Sequence, residues 1–345
     1  MALSPLTRRN LINNAVVICA SIPIGALIGV SRASSETFWR DIGVGAVIGL
    51  VIASGCSAAE LWLLSNRALR WMRRVPPVLL MLTRGVLFNA VILFGLTVPN
   101  MMIGIGAPWQ QPEFWQYFVI SSIVAFTIST GIEITRLLGS EATLALVSGR
   151  YTHPRLETRV VMFADIVGST ALAEQIGELA FHNFLRDVAN DLAIATVLTR
   201  GNVYRYVGDA VIVTWPLDRG TQNGAALTCA AEMHRLMETR APVYTQRYGA
   251  TPALRIAIHA GQVAAGEIGD WKKEIALLGD TMNTTARIEG AAKTLGVRTV
   301  VSDAVLQQLP SNLRTQYARL PEYDAAGKHD ALILWTPKDD LAVSN

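Results

Sequence analysis

The sequence predicts an α-helical transmembrane bundle of four spans followed by an α+β domain. The first 138 residues hold four long apolar segments, whereas strand-like and helix-like segments alternate from about residue 158. Of the 345 residues, 51% are hydrophobic, and the mean hydropathy is +0.33. Both values are high for a soluble protein and indicate a membrane fraction.

The four apolar segments cover roughly residues 11–30, 42–64, 78–98 and 115–138. Each is close to the about 20 residues that cross a bilayer. Between the second and third segments lie four arginines, namely Arg67, Arg70, Arg73 and Arg74. Residues 99–116 contain no Lys or Arg. Since cytoplasmic loops carry the excess of positive charge, we expect a multi-pass protein of the inner (plasma) membrane with its N-terminus and everything after the fourth span in the cytoplasm.

Two features of the spans concern helix packing. Arg84 lies in the third span near its predicted cytoplasmic end, and we interpret it as a side chain that extends to the interface. Gly25 and Gly29, like Gly45 and Gly49, have the four-residue spacing that lets helices approach closely. Packing within one chain and dimerisation both satisfy this spacing.

The domain boundaries follow from the change in pattern. We predict a membrane domain over 1–138, a helical transducer or linker over 139–157, a cytoplasmic domain over 158–337 and a tail over 338–345. In the cytoplasmic domain the predicted order is a strand in "RVVMFADI", a helix over 170–199, a hairpin in "GNVYRYVGDAVIVTWP", a helix, a Gly-punctuated strand, a third helix, a strand with a short helix, and a final strand.

Two acidic residues stand at the ends of predicted strands. Asp165 ends the strand "RVVMFADI", and Asp209 lies in the Gly-Asp turn of the hairpin. If the strands are neighbours, the two carboxylates meet at one edge of the sheet, where oxygen ligands suit Mg²⁺ together with substrate phosphates. The N–H groups of Val167, Gly168 and Ser169 precede a helix and could cradle those phosphates. Taken alone, each Asp is equally typical of a helix cap or a hairpin turn.

Four stretches taken together resemble the signatures of the class III nucleotidyl cyclases, the adenylyl and guanylyl cyclases. In chain order they are "FADIVGST", "YRYVGDAVIV", "IAIHAGQVAAGEIG" and "LLGDTMNTTARIE". The resemblance covers roughly residues 158–337, and the order and spacing of the stretches make it specific. It implies an α+β class III cyclase homology domain with a ferredoxin-like, palm-type sheet.

The resemblance also implies roles for individual residues. Asp165, Asp209 and the Ile166 carbonyl would hold two ions per site, Mg²⁺ or Mn²⁺. Asn283 would orient the ribose, and Arg287 would stabilise the charge on the α-phosphoryl group in the transition state. The phosphate cradle would be formed by Ile166, Val167, Gly168, Ser169 and Thr170. In the family the metal ligands come from one subunit and the Asn and Arg from the other, which implies an active homodimer.

Arg205 and Ala276 stand at the two positions that select the purine in this family. Adenylyl cyclases usually carry Lys with Asp or Thr there, and guanylyl cyclases carry Glu with a small residue. A cation at position 205 can donate to adenine N1 but cannot accept from guanine N1–H and N2–H₂, which favours ATP. Glu274 offers an acceptor two residues before Ala276. Lys328 stands near the family's triphosphate-binding Lys.

We therefore expect a membrane-anchored adenylate cyclase that converts ATP to 3′,5′-cyclic AMP and pyrophosphate for intracellular signalling. The alternatives are a guanylate cyclase and a degenerate cyclase-like module that binds nucleotide without turnover. The expected partners are ATP, the lipid bilayer and a second copy of the chain through the cyclase domain, with the membrane helices as a further candidate contact. An unidentified membrane ligand or partner protein is a further candidate, and no nucleic-acid partner is expected.

Overall fold

A computed structural model describes residues 5–32, 35–63, 77–102, 104, 107–323 and 332–341. The chain divides into two compact units, Met1–Ile134 and Thr135–Asn345. The described residues of the first unit form four long helices, α1 (Pro5–Arg32), α2 (Phe38–Leu63), α3 (Pro77–Met102) and α4 (Pro112–Leu138), the last of which runs on into the second unit.

Three of these helices are long and apolar enough to cross a membrane. Within the described residues they contain the candidate spans Phe38–Leu63, Met81–Met102 and Pro112–Thr135. In α1 the described apolar stretch is Val17–Val30. By length and composition, three helices could therefore cross a membrane, and the predicted fourth span, over 11–30, is not confirmed.

The small residues of α1 and α2 pack these two helices against each other. A Cβ atom added to Gly25 would lie 2.2 Å from the Gly45 carbonyl oxygen, and one added to Gly29 would lie 2.3 Å from the Asp41 carbonyl oxygen. Because backbone atoms cannot move aside, only glycine fits at these contacts. Of the two interpretations of the glycine spacing, packing within one chain accounts for it.

The interpretation of Arg84 as a side chain that extends to the membrane interface is wrong. Its side chain does not extend to an interface but is buried, with 3% of the residue exposed. Its Nη1 atom lies 2.6 Å from Glu133 of α4, and its Nε atom lies 3.5 Å from Glu60 of α2. Because a charge buried in a helical bundle needs opposite charges, this cluster joins α2, α3 and α4.

We expect Arg84→Met to destabilise the first unit by about 3–5 kcal/mol, because it leaves buried carboxylates without their cation. Thermal unfolding of the purified protein in detergent measures the change. Arg40→Met is the matched control, since the Arg40 side chain is 56% exposed beside Asp41 and such pairs contribute about 1 kcal/mol or less. Equal shifts for the two variants would show that the cluster does not hold the helices together.

The second unit is an α+β domain. Its strands are β1 (Arg155–Ile166), β2 (Asn202–Val207), β3 (Ala210–Pro216), β4 (Leu254–Ile268), β5 (Glu274–Leu278), β6 (Thr299–Ser302), β7 (Tyr317–Arg319) and β8 (Leu334–Pro337). Its helices are α5 (Ser140–Ser148), α6 (Ser169–Ile176), α7 (Glu178–Leu198), α8 (Leu217–Thr221), α9 (Ala225–Tyr248), α10 (Asp280–Leu295), α11 (Asp303–Leu306), α12 (Ser311–Arg314) and α13 (Lys338–Leu341). The predicted helix over 170–199 is two helices, because the chain breaks at Gly177, where φ is +82°.

The strands form one mixed sheet in the order β2-β3-β1-β4-β6-β8-β7, with β5 pairing to β4. Strand β6 runs parallel to β4, and the other pairs are antiparallel. The first four strands, with α7 and α9 between them, have the βαββαβ connectivity and the strand order of a ferredoxin-like fold. The predicted fold of this unit is therefore confirmed.

The two faces of the sheet are covered differently. Alternate β1 residues such as Val160 and Met162 point into the main core, which contains side chains of α7 and α9. The residues between them, including Arg159 and Asp165, point to the other face. Two smaller clusters lie on that second face, one with Ala257 and α10 and one with Ala145 of α5.

Candidate active site

Asp165 and Asp209 are brought together by the pairing of β1 with β3. Asp165 is the penultimate residue of β1, and Asp209 lies in the tight turn between β2 and β3. The antiparallel register places Ala164 opposite Val211, so the turn lies beside the end of β1. The two carboxylates meet at one edge of the sheet, as the sequence predicts.

Asp165 is surrounded by further charges. Burial raises the pKa of its carboxyl, and the carboxylates of Asp209 and Glu289 raise that pKa further, to about 6. Arg255, which is opposite Asp165 in the pairing of β1 with β4, counteracts them, with Nη1 3.9 Å from Asp165 Oδ2. The same Nη1 atom lies 3.2 Å from Glu289 Oε1 on α10. Carboxylates that repel one another at one point favour a cation between them.

The chemistry of this strand end fits a divalent cation. Among the described residues, no group of three or more His, Cys, Asp or Glu side chains forms a metal-binding cluster. Mg²⁺ does not require one, because it is usually bound by one or two carboxylates while waters and substrate phosphates supply the other ligands. Asp165, Asp209 and the main-chain carbonyl of Ile166 are the oxygen donors available here.

The predicted phosphate cradle follows directly after β1. The Val167 N–H group donates to the Ala253 carbonyl oxygen at 2.9 Å. This amide is therefore not available to a phosphate, and the predicted cradle is reduced to the amides of residues 168–170. Gly168 has φ +72° and precedes the first turn of α6, a conformation that favours glycine. Thr170 is exposed, and Ser169 is half-buried. The other predicted phosphate ligand, Lys328, lies outside the described residues.

Asn283 and Arg287 lie together on one side of α10. Asn283 is exposed, and Arg287 is half-buried. In the part of the chain that the structure describes, no hydrogen bond or ion pair joins either side chain to Asp165 or Asp209. Glu289, the α10 residue that does reach the Asp165 site, is separated around the helix by about 160° from Arg287 and by about 120° from Asn283. Within one chain, α10 therefore turns Asn283 and Arg287 away from the carboxylate pair.

Arg205 forms an ion pair with Glu274, which lies two residues before the purine-selecting position Ala276. Its Nη2 atom lies 2.6 Å from Glu274 Oε2, and each side chain is almost half exposed. Glu274 and Ala276 are on the same face of β5, because side chains alternate along a strand. The Tyr204 hydroxyl accepts a 2.9 Å hydrogen bond from the Leu277 N–H group, which ties β2 to β5. Arg205 and Glu274 line a cavity of about 220 Å³.

A second charged network, which the sequence analysis missed, joins α5 to the same face of the sheet. Arg159 is buried, with 3% of the residue exposed. It pairs with Glu141 of α5 and with Glu157, and it donates to the Tyr151 hydroxyl at 2.8 Å and to the Thr214 hydroxyl at 3.3 Å. The available signal was an arginine directly before the apolar run Val160–Phe163. The network links the predicted transducer segment to the strand that carries Asp165.

Arg255 and Glu289 were also missed. Their signal is visible only in the strand register, which sets Arg255 beside Asp165, and in the helix packing, which brings Glu289 to Arg255.

Comparison with known proteins shows the family of this chain. The family model of the adenylate and guanylate cyclase catalytic domain matches residues 152–335, more than half of the chain. Adenylate cyclase 2 of Rhizobium meliloti (strain 1021) is 28% identical over 295 residues, covering 84% of this chain and 81% of the relative. A receptor-type guanylate cyclase of Drosophila melanogaster is 31% identical over 170 residues, which are 47% of this chain and 11% of that protein.

A solved structure of a bacterial light-regulated adenylyl cyclase is similar in fold. The TM-score is 0.54 at 16% sequence identity, and the match covers 64% of each chain. At this identity the likeness concerns the fold alone. Adenylate and guanylate cyclases both occur among the relatives, so the purine must be argued from the residues of this chain.

Proposed function

Because the chain belongs to the adenylate and guanylate cyclase catalytic-domain family, we propose that it is a membrane-anchored adenylate cyclase that converts ATP to 3′,5′-cyclic AMP and pyrophosphate for intracellular signalling. The observation that carries the proposal is the pair formed by Asp165 and Asp209, whose mutual repulsion a divalent cation would relieve. The presence of Asn283 and Arg287 in the same chain supports turnover over nucleotide binding alone.

In the proposed reaction the ribose 3′-oxygen attacks the α-phosphorus, and the bond from that phosphorus to the leaving oxygen of pyrophosphate breaks. The proton of the 3′-hydroxyl passes to solvent. Asp165, Asp209 and the Ile166 carbonyl would hold Mg²⁺ or Mn²⁺, two ions per site. When bound, such ions lower the pKa of the attacking hydroxyl and neutralise charge on the phosphates. The main-chain amides of residues 168–170, at the N-terminus of α6, would bind the triphosphate.

The active unit in this proposal is a homodimer with composite sites. Asn283 and Arg287 are on the side of α10 that faces away from the carboxylate pair of their own chain, which supports a role for them in a site on a second copy. There Asn283 would orient the ribose, and Arg287 would stabilise charge that develops on the α-phosphoryl group, where a positioned cation contributes most.

ATP is favoured over GTP by the Arg205–Glu274 pair. The pair sets a hydrogen-bond donor and an acceptor side by side, 2.6 Å apart. Adenine presents the complementary order, with an acceptor at N1 beside a donor at N6–H₂. Glu274 would supply the acceptor that Ala276 lacks, and Arg205 would donate to N1. At the positions that the resemblance implies, Arg205 would face ring position 1 and Glu274 the exocyclic group at position 6. Guanine presents a donor, N1–H, to Arg205 and an acceptor, O6, to Glu274, so neither hydrogen bond would form.

Glu274→Ala is expected to lower kcat/KM for ATP by about 10- to 100-fold, because it removes the charged acceptor proposed for adenine N6–H₂. The purified chain is assayed with Mn²⁺ and either ATP or GTP, and the rate of pyrophosphate release is measured. Lys272→Ala is the control, since Lys272 also pairs with Glu274, at 2.7 Å, but is 85% exposed. A larger fall for GTP than for ATP would assign Glu274 to guanine, and unchanged rates for both would make the pair a surface contact only.

The proposal places the protein in the inner (plasma) membrane as a multi-pass protein. The apolar helices α2, α3 and α4 support membrane association. A cytoplasmic N-terminus and catalytic domain follow from the arginines between the second and third segments, which lie outside the described residues, by the positive-inside rule. Cysteine accessibility to membrane-impermeant reagents on each side would test this orientation.

A further inference from the structure

The first unit contains a half-open cavity of about 590 Å³ between the α1–α2 pair and α4. Lining side chains such as Ile120 and Ile128 are about half exposed, so the cavity opens to the surroundings of the helices. Its volume is within the about 300–1,000 Å³ of small-molecule sites. All four helices contribute to its lining.

The lining is apolar along most of its length. One stripe of α4 faces the cavity, formed by Tyr117, Ile120, Val124, Ile128 and Ile132, the spacing of one helix face. On α4 the neighbouring positions, such as Ile123, do not line it. A cavity with apolar walls between helices that are long enough to cross a bilayer is suited to the hydrocarbon chain of a lipid.

Near the C-terminus of α3, one polar atom on the cavity lining has no hydrogen-bond partner among the described residues. Asn100 lines the cavity, and only 4% of this residue is exposed. Its Nδ2 atom donates to the Leu96 carbonyl oxygen at 2.6 Å, but its buried Oδ1 atom makes no hydrogen bond within the described part of the chain. A buried acceptor without a donor is costly, so its presence points to a ligand that supplies one.

The charged groups on the lining already have partners. Glu60 lies 3.5 Å from the guanidinium of Arg84, and Arg40 lies 3.2 Å from Asp41. Asn100 Oδ1 therefore differs from them, since it is an acceptor that still needs a donor.

We propose that this cavity binds a single-chain lipid whose hydroxyl head group donates to Asn100 Oδ1 while its hydrocarbon chain lies along the Ile120–Ile132 stripe of α4. This site is separate from the cyclase chemistry and goes beyond it. A helix of a second copy is a poorer fit, because the backbone N–H groups of a helix interior are already hydrogen-bonded within it and offer Asn100 Oδ1 no donor.

The test uses the full chain in lipid nanodiscs and a diazirine-bearing monoacylglycerol as the probe. After irradiation, mass spectrometry of peptides identifies the labelled residues, which are expected on the cavity stripe of α4 and on α1 and α2. Ile128→Trp fills the cavity and is expected to reduce this labelling at least fivefold. Ile123→Trp is the matched control, because Ile123 is equally apolar and exposed but lies off the stripe, and it is expected to leave labelling unchanged.

Asn100→Leu separates the head-group contact from the apolar one. It is expected to reduce labelling by the hydroxyl probe at least fivefold but to leave labelling by the corresponding methyl ether, which lacks the donor, unchanged. Monodisperse elution and an unchanged melting temperature show that each variant is folded. Equal labelling of all lipid-facing positions, insensitivity to Ile128→Trp, or cross-links between two chains through the stripe would each overturn the proposal. No readout depends on cyclase activity, so failure here is distinct from failure of the proposed function.

Discussion

Asp209→Asn is expected to lower cyclase turnover by at least roughly 100- to 1,000-fold, the scale for removing one group that stabilises developing charge, and to raise the melting temperature of the metal-free protein. Both effects have one cause. In the metal-free protein the Asp209 carboxylate helps to raise the pKa of Asp165 to about 6, so the two groups repel each other near neutral pH. Removing the Asp209 charge ends the repulsion between the two carboxylates, which stabilises the fold, and it also removes a metal ligand.

Differential scanning fluorimetry with and without Mn²⁺ measures the second effect independently of activity. Addition of Mn²⁺ should stabilise the natural chain and have little effect on Asp209→Asn. Asp218→Asn is the matched control, since Asp218 is exposed and stands nine residues further along. A variant that keeps its turnover, or that is still stabilised by Mn²⁺ as strongly as the natural chain, would exclude Asp209 as a metal ligand.

Arg287→Ala is expected to reduce turnover on the same scale, and mixing it with Asp209→Asn is expected to restore activity. The Asp209→Asn chain keeps Arg287 and the Arg287→Ala chain keeps the metal ligands, so together the two chains can form one complete composite site. In an equimolar mixture half of the dimers pair unlike chains, and each such dimer has one complete site of two, so about a quarter of the natural activity should return.

The mixing experiment needs a control on the same helix. Lys293→Ala changes an exposed cation in the last turn of α10 and should leave activity close to that of the natural chain. If the mixture of Asp209→Asn and Arg287→Ala stays as inactive as either variant alone while the chains still dimerise, Asn283 and Arg287 do not complete a site on a second copy.

The local chemistry of the site could be predicted from the sequence because it is encoded in short stretches. Asp165 at a strand end and Asp209 in a Gly-Asp turn need one further condition, that the two strands be neighbours, and the pairing of β1 with β3 meets it. The i,i+4 spacing of Asn283 and Arg287 places them on one side of a helix whatever the helix packs against.

The charged contacts could not be predicted, because each depends on what another element brings to it. The environment of Arg84 is set by Glu60 and Glu133 on two other helices, and a hydropathy pattern cannot distinguish a buried ion pair from a side chain that extends to an interface. The Arg205–Glu274 pair depends on how β5 lies relative to β2. These two strands are not paired in the sheet, and the hydrogen bond from Leu277 N–H to the Tyr204 hydroxyl holds them together.

The most direct measurement is a competition assay on the purified full chain in nanodiscs, with Mn²⁺ and equal concentrations of ATP and GTP. The cyclic products are separated by chromatography and identified by mass, and pyrophosphate is quantified. We expect 3′,5′-cyclic AMP in excess over cyclic GMP, with one pyrophosphate released for each cyclic nucleotide formed. Cyclic GMP in excess, or no cyclic nucleotide from either substrate, would contradict the assignment of this protein as an adenylate cyclase.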